Sequence, residues 1–235
     1  MSVAKVASVQ LRVDDGETKA RRIERVESIL SGLRGCDLVL LPELWNVGYF
    51  SFSRYAEEAE PLDGETISRV ARKAQEIGAY VLVGSIVENG GSSLHNTSVL
   101  LDRGGRVAAV YRKIHLFGYE SEEPGLLEPG NQVVAVQTDL GTLGLSICYD
   151  LRFPELYRRL LGLGAEVFLV ASAWPYPRVE AWDVLNRARA IENQGVLVSC
   201  NCVGTNGAGR YAGRSTVVDP GGWVVASAGD VETVV

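Results

Sequence analysis

Strand-like and helix-like segments alternate along nearly the whole chain, and this alternation is the strongest constraint on its fold. Short apolar runs are separated by segments with the periodicity of amphipathic helices. The predicted strands are residues 3–11, 37–41, 80–86, 97–101, 107–111, 132–136, 142–147, 166–171 and 196–201. The predicted helices are residues 18–30, 65–77, 154–161 and 179–193. Helices interleaved with mixed strands predict an α/β fold in layers, not a barrel of hairpins.

Turns and loops complete this pattern. A glycine at position 78 is predicted to end helix 65–77, and the terminal hairpin is predicted to turn at residues 220–222. The predicted loops are residues 42–63, 113–131 and 203–213. Each half of the chain has the order β-α-β followed by paired strands, which suggests a pseudo-symmetric sandwich. A length of 235 residues suits a single domain, so we expect one domain over residues 1–235.

Composition and charge exclude several classes of protein. The formal net charge is −6, so no basic face is offered to nucleic acid or to an anionic membrane. The start, MSVAKVASVQLRV, lacks the apolar segment of a signal peptide, and no run reaches the roughly 18 apolar residues of a membrane span. Four cysteines are too few for a disulfide scaffold. We therefore expect a cytoplasmic protein without a nucleic-acid or membrane partner.

Residue types that bind metals are scarce in this chain. It has two histidines, His95 and His115, and its one closely spaced cysteine pair is Cys200 and Cys202. The C-x-C spacing of that pair is unsupported by other ligands, so we predict no metal site.

Residues 141–155, GTLGLSICYDLRFPE, contain the main candidate for a reactive group. An apolar strand ends at Cys148, a polar turn follows, and Pro154 suits the first position of the next helix. Helix N–H groups at such a turn can stabilise a thiolate, which makes Cys148 a candidate nucleophile. The competing interpretation is a small, buried, unreactive cysteine. A cysteine–histidine enzyme would have to use His95 or His115.

Two other predicted strand ends carry a candidate catalytic residue, and open α/β sheets place their sites at such ends. Glu43 follows LVLLP, and Lys113 closes AAVYRK. Glu43 could accept the proton of the cysteine if burial raised its pKa. Lys113 and the backbone N–H of Tyr149 could stabilise the oxyanion of a tetrahedral intermediate. Alternatively, the glutamate is a solvated carboxylate and the lysine is an exposed strand-end residue.

Three blocks of sequence resemble the nitrilase, or carbon–nitrogen hydrolase, superfamily. They are PELWNVGY around Glu43, YRKIHLF around Lys113 and GLSICYDLRFPELYR around Cys148, and their order and spacing also match. The resemblance extends from residue 3 to the terminal hairpin. It implies a four-layer α-β-β-α sandwich of two mixed sheets with helices on the outer faces. It also implies a glutamate base, a lysine stabiliser, a cysteine acyl-enzyme and hydrolysis to ammonia and a carboxylate without metal or cofactor.

Members of this superfamily often carry a second glutamate in the loop after the lysine block. The loop GYESEEPGLLEPG offers four glutamates. The resemblance implies that Glu123 is the site residue, with Glu122 as a close second. We interpret Glu120 and Glu128 as solvated residues.

The residues that follow the nucleophile resemble the amidase branch of the superfamily, which contains ω-amidases and Nit-type amidases. Nitrilases commonly have Cys-Trp-Glu there, whereas this chain has Cys148, Tyr149 and Asp150. The branch implies a small linear amide as substrate, and we favour an ω-amide of a dicarboxylic or keto acid. The alternatives are a nitrilase, an N-carbamoyl amidohydrolase, and a binding or regulatory protein with an inactive site.

Three residues are predicted to contact the substrate. Tyr49 and Trp174 would form walls of the pocket, and Arg178, in the segment WPYPR, would neutralise a substrate carboxylate. The two aromatic residues could instead lie at the edge of the core, and the arginine could be an exposed residue at a helix start. Arg152 could equally be structural, paired with an acid near its turn.

The resemblance also predicts assembly into a homodimer or a higher homo-oligomer. Relatives usually continue past the final hairpin with another strand and an arm that crosses to a partner subunit, whereas this sequence ends at Val235. We therefore expect a short or missing arm and association through helix faces.

Overall fold

Two mixed β-sheets lie face to face between two layers of helices in the computed structural model, which describes residues 4–235. The strands in that range are β1 (Val6–Gln10), β2 (Leu38–Leu40), β3 (Tyr80–Leu82), β4 (Ile86–Asn89), β5 (Leu94–Leu101), β6 (Val107–Arg112), β7 (Ala135–Thr138), β8 (Gly141–Ile147), β9 (Val167–Ala171), β10 (Val196–Cys200), β11 (Thr205–Asn206), β12 (Gly209–Arg210), β13 (Thr216–Val218), β14 (Val224–Ser227) and β15 (Thr233–Val234). The predicted four-layer α-β-β-α sandwich is confirmed.

The longer helices of the described residues form the outer layers, and the shorter ones lie within loops. They are α1 (Lys19–Ser31), α2 (Tyr55–Glu58), α3 (Glu65–Ile77), α4 (Glu123–Leu126), α5 (Pro154–Gly162) and α6 (Val179–Asn193), with short 3-10 helices at Phe52–Arg54, Cys148–Arg152 and Tyr176–Arg178. Not one of the helices between residues 4 and 235 combines the length and the apolar character that a membrane crossing requires.

Each sheet has three parallel strands joined by helical crossovers. The first sheet has the order β15-β1-β2-β3-β5-β4, and β6 also pairs with β5. The second has the order β14-β13-β10-β9-β8-β7. Strands β1, β2 and β3 are parallel in the first sheet, as are β8, β9 and β10 in the second. Because α1, α3, α5 and α6 connect these strands, the carboxyl ends of the strands lie at the same edge of each sheet.

Strand periodicity explains why the central strands read as continuous apolar runs. In β2, Val39 packs in the cluster that contains α1 and α3, whereas Leu38 and Leu40 pack in the cluster that contains the second sheet. Successive side chains of a strand point to opposite faces, so a strand between a helix layer and a second sheet is apolar at every position.

Helices α3 and α6 have the bounds that the periodicity predicts, whereas the predicted strand 80–86 was wrong. It divides into β3 and β4 at Gly84, which has a φ of +78°. A Cβ at this glycine would lie 1.9 Å from the carbonyl oxygen of Pro42. The chain therefore bends there to make room for the loop that carries Glu43.

Four smaller differences concern loops and strand ends. The predicted strand 132–136 begins later, as β7, and the predicted loops 113–131 and 203–213 contain α4 and the β11–β12 pair. A further strand follows the terminal hairpin as β15, which pairs with β1. Residue 3, where the first strand was predicted to begin, lies outside the described residues.

Candidate active site

The three strand-end candidates meet between the two sheets. Glu43 follows β2 and Lys113 follows β6 of the first sheet, whereas Cys148 follows β8 of the second. The side chains of Glu43 and Lys113 are 0% exposed, and Lys113 Nζ lies 2.8 Å from Glu43 Oε1. Cys148 is 7% exposed, and the charges of both residues act on its thiol. The fold thus joins residues that are far apart in sequence in one buried site.

Four residues form what we call the floor of the site: Glu43, Asn96, Lys113 and Glu123. Lys113 Nζ donates to Glu43 Oε1 at 2.8 Å and to Glu123 Oε1 and Oε2 at 2.8 and 3.0 Å. Asn96 Nδ2 donates to the same Oε1 atoms of Glu43 and Glu123, at 2.8 and 3.1 Å. One ammonium and one amide therefore hold the two carboxylates in fixed positions.

The second oxygen of Glu43 is held by the other sheet. Its Oε2 accepts a hydrogen bond of 2.9 Å from the backbone N–H of Ala173, and its own N–H donates to the carbonyl of Ser172 at 3.2 Å. Leu44, the next residue, adopts a left-handed φ of +43°. The carboxylate is thus fixed by both sheets, and the backbone beside it is strained.

Helix α4 brings Glu123 into the site and leaves Glu122 outside. Glu123 Oε2 accepts hydrogen bonds from the N–H of Phe117 at 2.6 Å and from the Tyr49 hydroxyl at 3.2 Å. Glu122 is exposed, as are Glu120 and Glu128. Tyr49 therefore supports the second carboxylate as well as lining the pocket.

Burial and mutual charge set the protonation of the floor. Burial, together with the charge of Glu123, raises the pKa of Glu43, whereas the Lys113 ammonium opposes this shift. Burial alone would lower the pKa of Lys113, but the charges of Glu123 and Glu43 outweigh it and hold that pKa well above its ordinary range. These shifts favour the protonated form of Lys113 and raise the proton affinity of Glu43.

Cys148 occupies a strained turn. It has a left-handed φ of +46°, which is uncommon for a residue with a side chain, and it begins the 3-10 helix Cys148–Arg152. Burial, followed by the charge of Glu43, raises the pKa of the thiol well above its ordinary range. The resting group is a thiol that needs a base, and Glu43 and Cys148 each influence the pKa of the other.

Tyr149 supplies the next backbone N–H. Since it is the second residue of a 3-10 helix, its N–H has no acceptor within that helix. The helix therefore does not use this N–H, which directly follows the nucleophile candidate in the chain.

Asp150 holds the nucleophile turn, a role that the sequence analysis did not assign. Its Oδ2 accepts from the Ile147 N–H at 2.9 Å and the Tyr111 hydroxyl at 2.6 Å. Its Oδ1 accepts from the backbone N–H of His115 at 3.0 Å and lies 2.7 Å from the His115 ring Nδ1. The carboxylate thus joins the Cys148 turn to the segment after Lys113.

A small cavity, partly open to solvent, leads to Cys148. Tyr49 and Trp174 are both among its lining residues, as are Phe50, Phe117, Tyr149, Arg152, Ala173, Pro175 and Arg178. Its mostly apolar walls, with two guanidinium groups among them, suit a small molecule that carries a polar or charged group.

Two arginines and four aromatic rings form what we call the mouth: Arg152 and Arg178 with Phe117, Tyr119, Tyr149 and Trp174. The Arg152 guanidinium lies 5.1 Å from the Trp174 ring centre and 6.0 Å from that of Tyr149. Arg178 lies 5.2 Å from the Phe117 ring and 5.0 Å from the Tyr119 ring. Among residues 4–235 no acid forms an ion pair with either guanidinium, so the structural pairing considered for Arg152 was wrong.

The two histidines lie apart from the glutamate–lysine–cysteine cluster. His95 contacts Ser93 and the carbonyl of Glu128, and His115 contacts Asp150. No group of three or more histidine, cysteine, aspartate or glutamate side chains within the described range is arranged to hold a metal ion.

Asn96, Ser172 and Ala173 are site residues that the sequence analysis missed. Asn96 lies among the polar residues of the first half of β5, LHNTSVLL, so the sequence did not single it out. Ala173 acts through its backbone N–H, which has no sequence signal. Ser172 has the ordinary appearance of a small residue after a strand.

A layered α/β sandwich with a buried glutamate, lysine and cysteine at its strand ends defines a class of hydrolase that acts on carbon–nitrogen bonds. Comparison with known proteins agrees with this class: the carbon-nitrogen hydrolase family matches residues 5–235. The chain therefore belongs to this family and is an amidohydrolase.

Three relatives illustrate the similarity. A 2-oxoglutaramate amidase of Paenarthrobacter nicotinovorans is 39% identical over 237 residues, which cover 97% of this chain and 81% of the relative. The omega-amidase NIT2 of Homo sapiens is 32% identical, with 100% and 88% covered. A mutant amidase from Nesterenkonia sp. AN1, with acrylamide added at its active-site cysteine, superposes with a TM-score of 0.90 at 27% identity, covering 99% of this chain and 91% of that one.

Proposed function

We propose that this amidohydrolase cleaves a small linear ω-amide of a dicarboxylic or keto acid into ammonia and a carboxylate. The observation that carries the proposal is the combination of a cysteine beside a buried glutamate–lysine floor with two unpaired guanidinium groups at the mouth of the same cavity. The reaction as proposed uses side chains and water, without a cofactor.

The first step is proton transfer and attack. Glu43 accepts the proton of the Cys148 thiol, and the sulfur attacks the amide carbon, so the carbonyl electron pair moves to oxygen. The raised pKa of Glu43 supports this role, because a base must hold the proton that it removes. The Lys113 ammonium and the Tyr149 N–H then stabilise the oxyanion.

The second step releases ammonia and restores the enzyme. The intermediate collapses, the carbon–nitrogen bond breaks, and the nitrogen takes the proton from Glu43 to leave as ammonia. Water then attacks the thioester and gives its proton to Glu43, which returns it to the sulfur as the carboxylate product departs. Glu123, hydrogen-bonded to Lys113 and Tyr49, orients the amide and supports these transfers.

The mouth supports a substrate with a remote carboxylate. Arg152 and Arg178 both line the cavity that leads to Cys148. A guanidinium that lies over aromatic rings and lacks an acidic partner retains the donors that bind a carboxylate. The names of the 2-oxoglutaramate amidase and omega-amidase relatives agree with such a substrate.

The experiment is a comparison of ammonia release from matched compounds. They are an ω-amide with a terminal carboxylate, a neutral amide of equal length, the corresponding nitrile, and an N-carbamoyl amine, with carbon dioxide measured for the last. We expect the highest kcat/KM for the carboxylated amide. Higher activity on the nitrile or the N-carbamoyl amine would replace the proposed substrate by one of the alternatives.

Cys148→Ala is the control for the mechanism. We expect it to fold normally, to release no ammonia, and to form none of the acyl adduct that intact-mass measurement should detect on the unmodified protein. Turnover by this variant would contradict the acyl-enzyme.

We also propose a homodimer in the cytoplasm. Exposed apolar side chains on the outer helices support association with a second copy, namely Leu161 on α5 and Val184 and Ile191 on α6. All four cysteines are free thiols, which suits a reducing compartment. Sedimentation at several protein concentrations tests the dimer.

A further inference from the structure

The Ser172 hydroxyl is a buried polar group that the mechanism above does not use. Ser172 directly follows β9 and has 0% of its surface exposed. Within the described residues its Oγ has no hydrogen-bond partner with ordinary geometry. Buried hydroxyls are rarely left without a partner, so this one requires an explanation.

Strand register places Ser172 beside the nucleophile. Strands β8 and β9 are parallel, and Ile147 is paired with Ala171. The residues that follow these two are Cys148 and Ser172, so each comes directly after the last paired residue of one of two adjacent strands, at the same edge of the sheet.

The Cys148 thiol is the group that this hydroxyl influences. Burial and the charge of Glu43 raise the pKa of Cys148, while the charge of Lys113 and the nearby Ser172 hydroxyl lower it. Lys113 is already hydrogen-bonded to Glu43 and Glu123. A hydroxyl donor could therefore act on the sulfur without breaking the hydrogen bonds of Lys113.

We propose that Ser172 donates its hydroxyl hydrogen to the sulfur of Cys148 and stabilises the thiolate that attacks the substrate. The thiol proton moves to Glu43, the sulfur retains the electron pair, and Ser172 keeps its own proton throughout. This inference rests on the proposed role of Cys148 and extends it. A thiol is a weak acceptor and a thiolate a stronger one, so the hydrogen bond strengthens as the nucleophile forms.

Ser172→Ala tests the inference, with Ser98→Ala as the matched control. Ser98 on β5 is equally buried, and its hydroxyl also lacks a partner within the described residues. Both substitutions remove one buried hydroxyl, but only the first removes a donor beside the sulfur. Ser172→Gly removes the same donor and replaces the alanine variant if that one does not fold.

Two measurements separate a role at the sulfur from a merely structural one. The first is the rate at which iodoacetamide alkylates the Cys148 peptide at pH 8, followed by mass spectrometry. If the thiol pKa rises by about one unit, the fraction of Cys148 present as thiolate falls about tenfold. A more basic thiolate is also more nucleophilic, which offsets part of this loss. The alkylation rate should therefore fall about threefold. The second is steady-state hydrolysis, where we expect kcat to fall about tenfold at an unchanged KM.

The outcomes distinguish this inference from the proposed function. An alkylation rate and a kcat equal to those of Ser98→Ala would overturn the role of Ser172. Slower alkylation of Ser172→Ala supports it even if no ω-amide is hydrolysed, because alkylation needs no substrate. Failure of the substrate panel would therefore overturn only the proposed amide.

Discussion

The floor and the mouth of the site use charged residues in opposite ways. In the floor, the Lys113 ammonium is fully buried and hydrogen-bonded to two buried carboxylates at 2.8 Å. In the mouth, Arg152 and Arg178 are only partly buried, and their nearest partners are aromatic rings. The floor contains charges that compensate each other, whereas the mouth contains positive charge that a ligand can compensate.

This difference separates catalysis from substrate selection. Removing one member of a buried ion cluster leaves its partners desolvated and uncompensated, so rate and stability should suffer together. Removing a partly solvated guanidinium leaves no buried charge behind, so only the affinity for a charged substrate should change. Three substitutions test this comparison, in order of decreasing effect.

Lys113→Ala should have the largest effect of the three. It leaves Glu43 and Glu123 as adjacent buried carboxylates, so we expect the free energy of unfolding to fall by about 3–5 kcal/mol. We expect kcat to fall about a thousandfold, with a much smaller change in KM, because the ammonium acts mainly on the transition state. Urea unfolding and steady-state kinetics measure the two effects.

The matched control is Lys73→Ala, which removes a lysine that pairs with Glu76 on the outer helix α3. Lys73→Ala should change neither the free energy of unfolding nor kcat by much. If Lys113→Ala instead raised KM at an unchanged kcat, Lys113 would only bind the substrate.

Glu123→Gln should have an intermediate effect. A glutamine keeps the shape, but the NH2 group that replaces one oxygen would face donors at either position. These are Lys113 and Asn96 at Oε1, or the Phe117 N–H and the Tyr49 hydroxyl at Oε2. We expect kcat to fall about 10- to 100-fold, consistent with the loss of a charged hydrogen bond. Glu122→Gln, at an exposed position, should be indistinguishable from the unmodified protein. The reverse result would move the second site glutamate to Glu122.

Arg178→Met should have the smallest effect, and Arg152→Met is its companion. Each removes a guanidinium but keeps an apolar side chain over the neighbouring rings. We expect KM for a carboxylated amide to rise about tenfold per arginine, with kcat and the free energy of unfolding unchanged. The neutral amide of equal length serves as the control, since its KM should not respond. Equal changes for both amides would mean that the arginines shape the pocket without binding a carboxylate.

Much of the fold was predictable because local patterns encode it. The apolar period of α3 and the glycine at position 78, which adopts a left-handed φ of +70° at the helix end, are readable without tertiary information. The division of strand 80–86 was not readable, since it depends on a close approach of Gly84 to Pro42. The pairing of β15 with β1 was equally hidden, because its partner lies at the other end of the chain.

The candidate site also has one part that the sequence predicts and another that only the fold reveals. Glu43, Lys113 and Cys148 stand out in the sequence because a reactive residue after a buried strand is unusual. The hydrogen bonds that orient them come from Asn96, Ala173 and other groups up to 130 residues away. Backbone donors and small polar side chains carry no distinctive local pattern.

The sequence by itself determined the layered α/β architecture, the strand-end positions of the reactive residues and the resemblance to carbon–nitrogen hydrolases, because these depend on periodicity and on local order. The tertiary structure decided that Glu123 and not Glu122 faces Lys113, that Arg152 has no acidic partner within residues 4–235, and that Ser172 follows the strand next to the one that ends at Cys148. The physical reason is that proximity, burial and charge compensation arise between sheets, and they become defined only when the two sheets pack together.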